Sequence, residues 1–346
     1  MPTKPGRARK WIEQGKAVKK WSDTGLFYVQ LVEEPSDTKT QPVAIGIDPG
    51  KLYSGIGVQS AKATLFRGHL VLPFEAVKNR MRQRTMMRRT RRSRRINREV
   101  VFAQRNHRQK RFNNRTQKKV PPSIKANRQL ELRVVRELCA IYPVSKIVYE
   151  YVKASGDKGF SPVMVGQRWM LEQLSTLTPV VTRFGWETAN LRRYLCLEKT
   201  HNKKAQTPAS HAVDGVALAC SEFIDYVRFE SSNAAGRHWA GAVGITESLF
   251  KVIRRPPICR RQLHLLQFAK GGKRRNYGGT TTPFIFRKGD LVKYKDKLGY
   301  CSGFTGKSLS ISTVDWKRIG RFAASKVELV ARNTGLLVSG ALSAIA

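Results

Sequence analysis

Residues 78–115 hold fourteen arginines and two lysines against one acid, Glu99, and no self-contained globular core can absorb such a run. Arg84, Arg88, Arg91, Arg95 and Arg98 recur at helical spacing while Arg82, Arg89, Arg92 and Arg94 cover other faces, so the spacing predicts one helix that is cationic nearly all round. Such a helix has no apolar stripe to bury. Its charges repel one another in isolation, so its natural partner is a polyanion whose phosphates meet guanidinium forks on several sides. Blocks of like charge are usually disordered tails. This one is interior, and it lies between two short apolar runs that each deliver a carboxylate, Asp48 and Glu150.

The rest of the chain repeats the charge argument. A net charge of +41 over 346 residues strains any compact fold unless counter-charge is supplied, and nucleic acid supplies it with steep salt dependence. With 41% hydrophobic residues there is enough apolar material for two or three small cores joined by basic segments. No apolar run of about 18 residues, secretion signal or lipidation motif is visible, so the expectation is no membrane partner and a cytoplasmic location in a cell without a nucleus. Cys139, Cys196, Cys220, Cys259 and Cys301 form no C-x-x-C pair, which excludes the usual zinc spacing and a disulfide framework. They are expected to be reduced and mostly buried.

Residues 1–41 read as a basic helix around 7–18 and a strand over 26–32, too little to fold alone. Residues 42–74 follow as an antiparallel meander with strands at 43–48, 54–59 and 64–72. The arginine segment fills 75–120. Within 121–232 the pattern predicts a helix from Ser123, a strand over 146–151, a helix over 165–177, a strand over 180–186 and a helix from Ser210 to about Val227, which is α/β layering. Residues 233–285 form a basic connector; 251–288 alone carry eleven Lys/Arg and no acid. Residues 286–346 read as a small barrel-like β domain with strands at 291–294, 299–304, 308–313 and 326–331.

Asp48 ends a strand whose alternation puts Val43, Ile45 and Ile47 on one face and Ala44, Gly46 and Asp48 on the other, so small neighbours leave space beside the carboxylate. Glu150 shares an apolar face with Val148 and Val152, where an unpaired carboxylate is costly and a metal ion relieves it. In Ser-His-Ala-Val-Asp-Gly at 210–215, Ser210 suits a helix cap, and His211 and Asp214, three apart, face the same way. Taken singly, each has an ordinary structural reading: an Asx turn at Asp48, an edge-strand Glu150, and Asp214 complementing a helix dipole. Together, carboxylates at 48, 150 and 214 could hold two hard cations, Mg2+ or Mn2+, about 3.5–4 Å apart for phosphodiester hydrolysis. His211 would act as base or complete the ligand set.

At this point the residues carry a resemblance. Ile-Gly-Ile-Asp-Pro-Gly (45–50), Ile-Val-Tyr-Glu (147–150) and His-Ala-Val-Asp-Gly (211–215) resemble the three split RuvC motifs of an RNase H-like nuclease. The arginine helix between the first two resembles the bridge helix of RNA-guided nucleases. Met-Pro-Thr-Lys-Pro-Gly (1–6) is similar to the PLMP segment of the transposon-encoded IscB and IsrB families, and Tyr-Gly-Gly-Thr-Thr (277–281) and Phe-Arg-Lys-Gly-Asp-Leu-Val (286–292) match their tails. Only sixty residues separate Glu150 from His211, too few for the HNH nuclease of IscB, so the chain resembles IsrB. The resemblance implies an RNase H-like α/β core and a monomer within a ribonucleoprotein with a large structured guide RNA. It also implies a target DNA duplex bearing a short adjacent motif, and nicking of the displaced strand only. Arg84, Arg88, Arg91, Arg92, Arg95 and Arg98 become candidate guide contacts, and Lys307, Lys317 and Arg318 candidate contacts to the adjacent motif. The rivals are a guide-free junction resolvase, which would have little use for the arginine helix, and an inert RNA-binding protein.

Overall fold

The computed structural model describes residues 3–34, 39–94, 96–105, 119–154, 161–229, 236–257 and 282–339. In chain order the elements begin with α1 (Pro5–Glu13), the hairpin β1 (Ala17–Trp21) and β2 (Phe27–Leu31), then β3 (Val43–Asp48), β4 (Tyr53–Ser60), β5 (Thr64–Val71) and α2 (Phe74–Arg94). Next come α3 (Pro122–Cys139), β6 (Val144–Tyr151), α4 (Pro162–Val165), α5 (Gln167–Leu174), β7 (Val180–Phe184), α6 (Gly185–Tyr194) and α7 (Val213–Cys220). The remaining strands are β8 (Asp225–Arg228), β9 (Arg237–Ala240), β10 (Phe250–Arg254), β11 (Leu291–Tyr294), β12 (Lys297–Thr305), β13 (Ser308–Ser312), β14 (Arg318–Ala323), β15 (Glu328–Ala331) and β16 (Leu337–Val338). None of the described helices is long and apolar enough to cross a membrane.

Two compact units divide the chain: residues 1–72, 124–255 and 336–346 make the first, and 73–123 with 256–335 the second. The first is built on a seven-stranded mixed sheet of order β16-β10-β5-β4-β3-β6-β7. β3, β4 and β5 are the expected antiparallel meander, and β6 and β7 run parallel to β3. This mixed α/β arrangement, five main strands in the order 3-2-1-4-5, fits the RNase H-like core that the motifs imply.

The two faces of the sheet pack differently. Ile45, Ile47, Ile56, Val58 and Phe66 meet Leu130, Val134, Val135 and Leu138 of α3 and Met170 and Leu174 of α5 in one fully buried core. The opposite face is glycine-rich, and α7 lies directly on it. A Cβ at Gly46 would stand 2.0 Å from the Gly215 carbonyl oxygen, and one at Gly57 would stand 2.4 Å from the Val216 nitrogen. The small residues beside Asp48 therefore do not leave open space; they admit the backbone of a helix whose eight residues are all buried.

Several boundaries differ from the sequence reading. The first helix stops at Glu13 because Gly15 takes a left-handed turn (φ 70°), and 17–21 pairs as a strand instead. The 165–177 segment splits at Gly166, the strand from 180 ends at Phe184 where α6 begins, and the helix from 213 ends at Cys220 rather than near Val227. β10, from the basic connector, and β16, from the C-terminal segment, both join the central sheet. In the second unit, α2 stops at Arg94, and the C-terminal strands form a five-stranded antiparallel sheet of order β14-β13-β12-β11-β15 over a core of Val292, Cys301, Leu309 and Ile311.

Candidate metal and nuclease site

Three parallel strands end side by side: Asp48 closes β3, Glu150 lies at the end of β6, and Phe184 closes β7. The carboxyl ends of parallel strands are where α/β sheets bind ligands, because the helices leave a crevice there. The glycine face lowers α7 onto the same spot. Asp214, in the first turn of α7, and His211, in the wide turn just before it, thereby reach Asp48, and one ligand atom from each of the three lies within 4.8 Å of the others.

The links within this cluster are explicit. His211 Nδ1 stands 3.2 Å from Asp48 Oδ2, and its Nε2 stands 3.3 Å from the Lys203 carbonyl oxygen. Asp214 is held by two cations, Arg192 Nε at 2.6 Å from Oδ1 and the Lys199 ammonium at Oδ2. Glu150 stands outside the 4.8 Å group but feels it. Burial and then the Asp48 charge push its carboxyl up to about 7, against a hydrogen bond from Thr188. Burial and Asp48 likewise raise Asp214, with Lys199 opposing. Two oxygen donors and an imidazole, with mutual repulsion among the carboxylates, suit a hard divalent cation, which would relieve the repulsion.

A further layer, not foreseen from sequence, positions these groups. One turn of α3 clamps the loop that follows Asp48: Asn127 Nδ2 donates to the Lys51 carbonyl at 2.8 Å and Arg128 Nη2 to the Gly50 carbonyl at 2.9 Å. Arg128 also pairs with Glu131 at 2.7 Å, both side chains being at most 1% exposed. The Ser54 hydroxyl donates to Glu131 while accepting from the Gly50 nitrogen at 3.0 Å. On the other side, Ser210 does not cap α7; its φ/ψ is non-helical and its hydroxyl meets His69 Nδ1 at 3.0 Å. Burial, then His211 and Arg254, lower His69 to about 4, so its ring is neutral near pH 7. Tyr53 stacks on His211 with centroids 5.6 Å apart.

The other sequence candidates belong to the second unit. Arg84 and Arg88 are exposed on α2, and Arg91 and Arg92 continue that helix. Arg95 is outside the described residues. Arg98 lies past the helix end, because the buried Ile96 and an Asn97 side chain accepting from the Glu99 nitrogen at 3.0 Å turn the chain. Arg98 itself donates to Ser93 Oγ at 3.2 Å. Lys307 is exposed in the β12–β13 turn, and Lys317 and Arg318 are exposed at the start of β14.

A protein-family model described as RRXRR protein matches residues 1–166, a span that includes Asp48, Glu150 and the overlapping runs Arg-Arg-Thr-Arg-Arg (88–92) and Arg-Arg-Ser-Arg-Arg (91–95). No curated protein matches the chain. Among solved structures, T. thermophilus RuvC in complex with Holliday junction substrate aligns at 15% identity over 51% of this chain and 90% of that one, with a TM-score of 0.29.

Proposed function

We propose that this chain is a RuvC-like, metal-dependent DNA nuclease that takes its target from a guide RNA and nicks one strand. The observation that carries the nuclease reading is the convergence of Asp48, His211 and Asp214 at the carboxyl ends of the parallel strands, with Glu150 beside them. When bound, a divalent cation of the Mg2+ or Mn2+ kind supplies charge to the scissile phosphate and to an attacking water. Asp48 and Asp214 would be its carboxylate ligands, and Glu150 would complete the acidic set. His211, oriented by Asp48, sits where it can hold the cation or take a proton. Lys199 and Arg192 pair with the Asp214 carboxylate and fix its position. The guide reading rests on the motif resemblance, on a charge of +41 and on the exposed arginines of α2, whose forked donors suit a phosphate backbone read by shape.

The test is nicking of a supercoiled plasmid that carries the sequence matching whatever RNA co-purifies with the protein. Relaxed circles should form with Mg2+, vanish in EDTA and vanish in Asp48→Ala. Equal nicking by that variant refutes the site. Branched-DNA cleavage that is unchanged after RNase treatment refutes the guide.

A further inference from the structure

Three aromatic side chains stand in water beside Glu150: Tyr151, Phe184 and Trp186 are 37%, 43% and 55% exposed. With Glu150, Lys153 and Gly185 they line a cleft of about 590 Å3 at the ends of β6 and β7. The rings are built in. Tyr151 and Phe184 are opposite each other in the strand register and meet edge to face, centroids 6.1 Å apart. The Phe184 nitrogen donates to Glu187 Oε2 at 2.7 Å, which fixes the first turn of α6 and with it Trp186. Gly185 lets rings and carboxylate share the cleft, since a Cβ there would come within 3.3 Å of Glu150 Oε1.

What covers such a surface must satisfy all of its chemistry at once. An apolar protein segment would bury the Glu150 carboxylate and the Lys153 ammonium without partners, at a cost that defeats the contact. A nucleotide offers a flat face to the rings and a phosphate to Lys153, beside the Glu150 carboxylate that lines the same cleft. In a duplex both faces of each base are already stacked, so only an unpaired strand can use the rings.

We propose that Tyr151, Phe184 and Trp186 form a stacking platform for a base of an unpaired DNA strand next to the phosphate to be cut. This rests on the nuclease reading, which already implies a displaced strand, and adds to it the side chains that would hold a base of that strand.

The experiment uses the Asp48→Ala protein, which on the nuclease reading leaves DNA intact, and an oligodeoxynucleotide containing 2-aminopurine, offered single-stranded or in a duplex at raised salt to weaken phosphate contacts elsewhere. Stacking quenches the fluorescence of the single strand only. Adding Trp186→Ala should weaken single-strand binding about tenfold and relieve the quenching, while Trp186→Phe should retain most of both. Unchanged affinity and fluorescence in Trp186→Ala overturns the platform, as does an equal loss on duplex. A change confined to self-association, seen by sedimentation, also overturns it. The parent reading fails separately: if protein with Asp48 replaced nicks plasmid as well as the unaltered protein, the nuclease site is wrong whatever the fluorescence shows.

Discussion

Arg128→Met should reveal how the acidic site is held up from beneath. Arg128 and Glu131 are paired at 2.7 Å with at most 1% of either side chain exposed, and Arg128 also holds the Gly50 carbonyl and, at 3.1 Å, the Tyr149 hydroxyl. Removing one partner of such a pair costs about 3–5 kcal/mol, because the other is left buried without its counter-charge. The surviving Glu131 can escape by taking a proton. Burial already pushes its carboxyl above the usual range, and Arg128 is the main group pulling it down. In the variant its folded pKa therefore rises well above the unfolded value of 4.5, and protonation in the folded state removes the penalty at low pH. The native state then binds more protons than the unfolded chain above that value, so stability falls as pH rises, at about 1.4 kcal/mol per unit. The fall continues until the pH passes the raised folded value, so a comparison at about pH 5 and about pH 7.5 reads a loss bounded by the cost of the broken pair. Hydrogen exchange of peptides covering β3 and β4, compared at the two pH values, reads the opening of this unit directly. We expect a large loss of protection at the higher pH and a small one at the lower. Arg128→Met combined with Glu131→Leu should regain most of the protection yet still nick poorly, since the Gly50 clamp is gone. Protection in Arg128→Met within about 0.5 kcal/mol of the unaltered protein at both pH values would refute the reasoning.

Three other outcomes follow from the same geometry. Gly57→Ala should destabilise by about 1–3 kcal/mol or more and abolish nicking, because its Cβ would meet the Val216 nitrogen at 2.4 Å and lift α7 from the sheet; Gly6→Ala, in α1 with nothing within 4 Å, should be neutral or slightly stabilising in the same thermal melt. In EDTA, stability should decline as pH rises from 4.5 to about 7, because Glu150 is held protonated there by burial and by Asp48; Glu150→Gln should flatten that slope of roughly 2–3 kcal/mol. Lys199→Met should lower the melting temperature without metal, since Asp214 loses an ion-pair partner, and should increase the stabilisation gained from Mn2+; an unchanged metal response would show that the ammonium does not compete for the site.

Alternation of apolar and small residues made β3 to β5 readable, and with them the placement of Asp48, because strand periodicity is local. The same holds for β6 and Glu150. α6 was hidden because Phe184-Gly185-Trp186 has strand-like composition, while its start is fixed by a backbone-to-Glu187 bond that only folding creates. β10 and β16 are short and gain their identity from neighbours far along the chain, β5 above all. The face of Ala44, Gly46 and Asp48 was correctly separated from that of Ile45 and Ile47, but sequence could not say that a helix fills it. Arg192 and Lys199 carry no signature of pairing with Asp214, since one comes from the last turn of α6 and the other from the loop that follows it. The Arg128–Glu131 pair, i to i+3 on a helix, looks like any surface pair until burial is known.

Anomalous diffraction from crystals soaked in Mn2+ addresses the convergence of carboxylates most directly. A manganese peak bound by Asp48 and Asp214, with the Lys199 ammonium moved aside, is what this account requires. Should saturating manganese leave those carboxylates bound only to Lys199, Arg192 and His211, the cluster is a structural ion-pair network and not a metal centre.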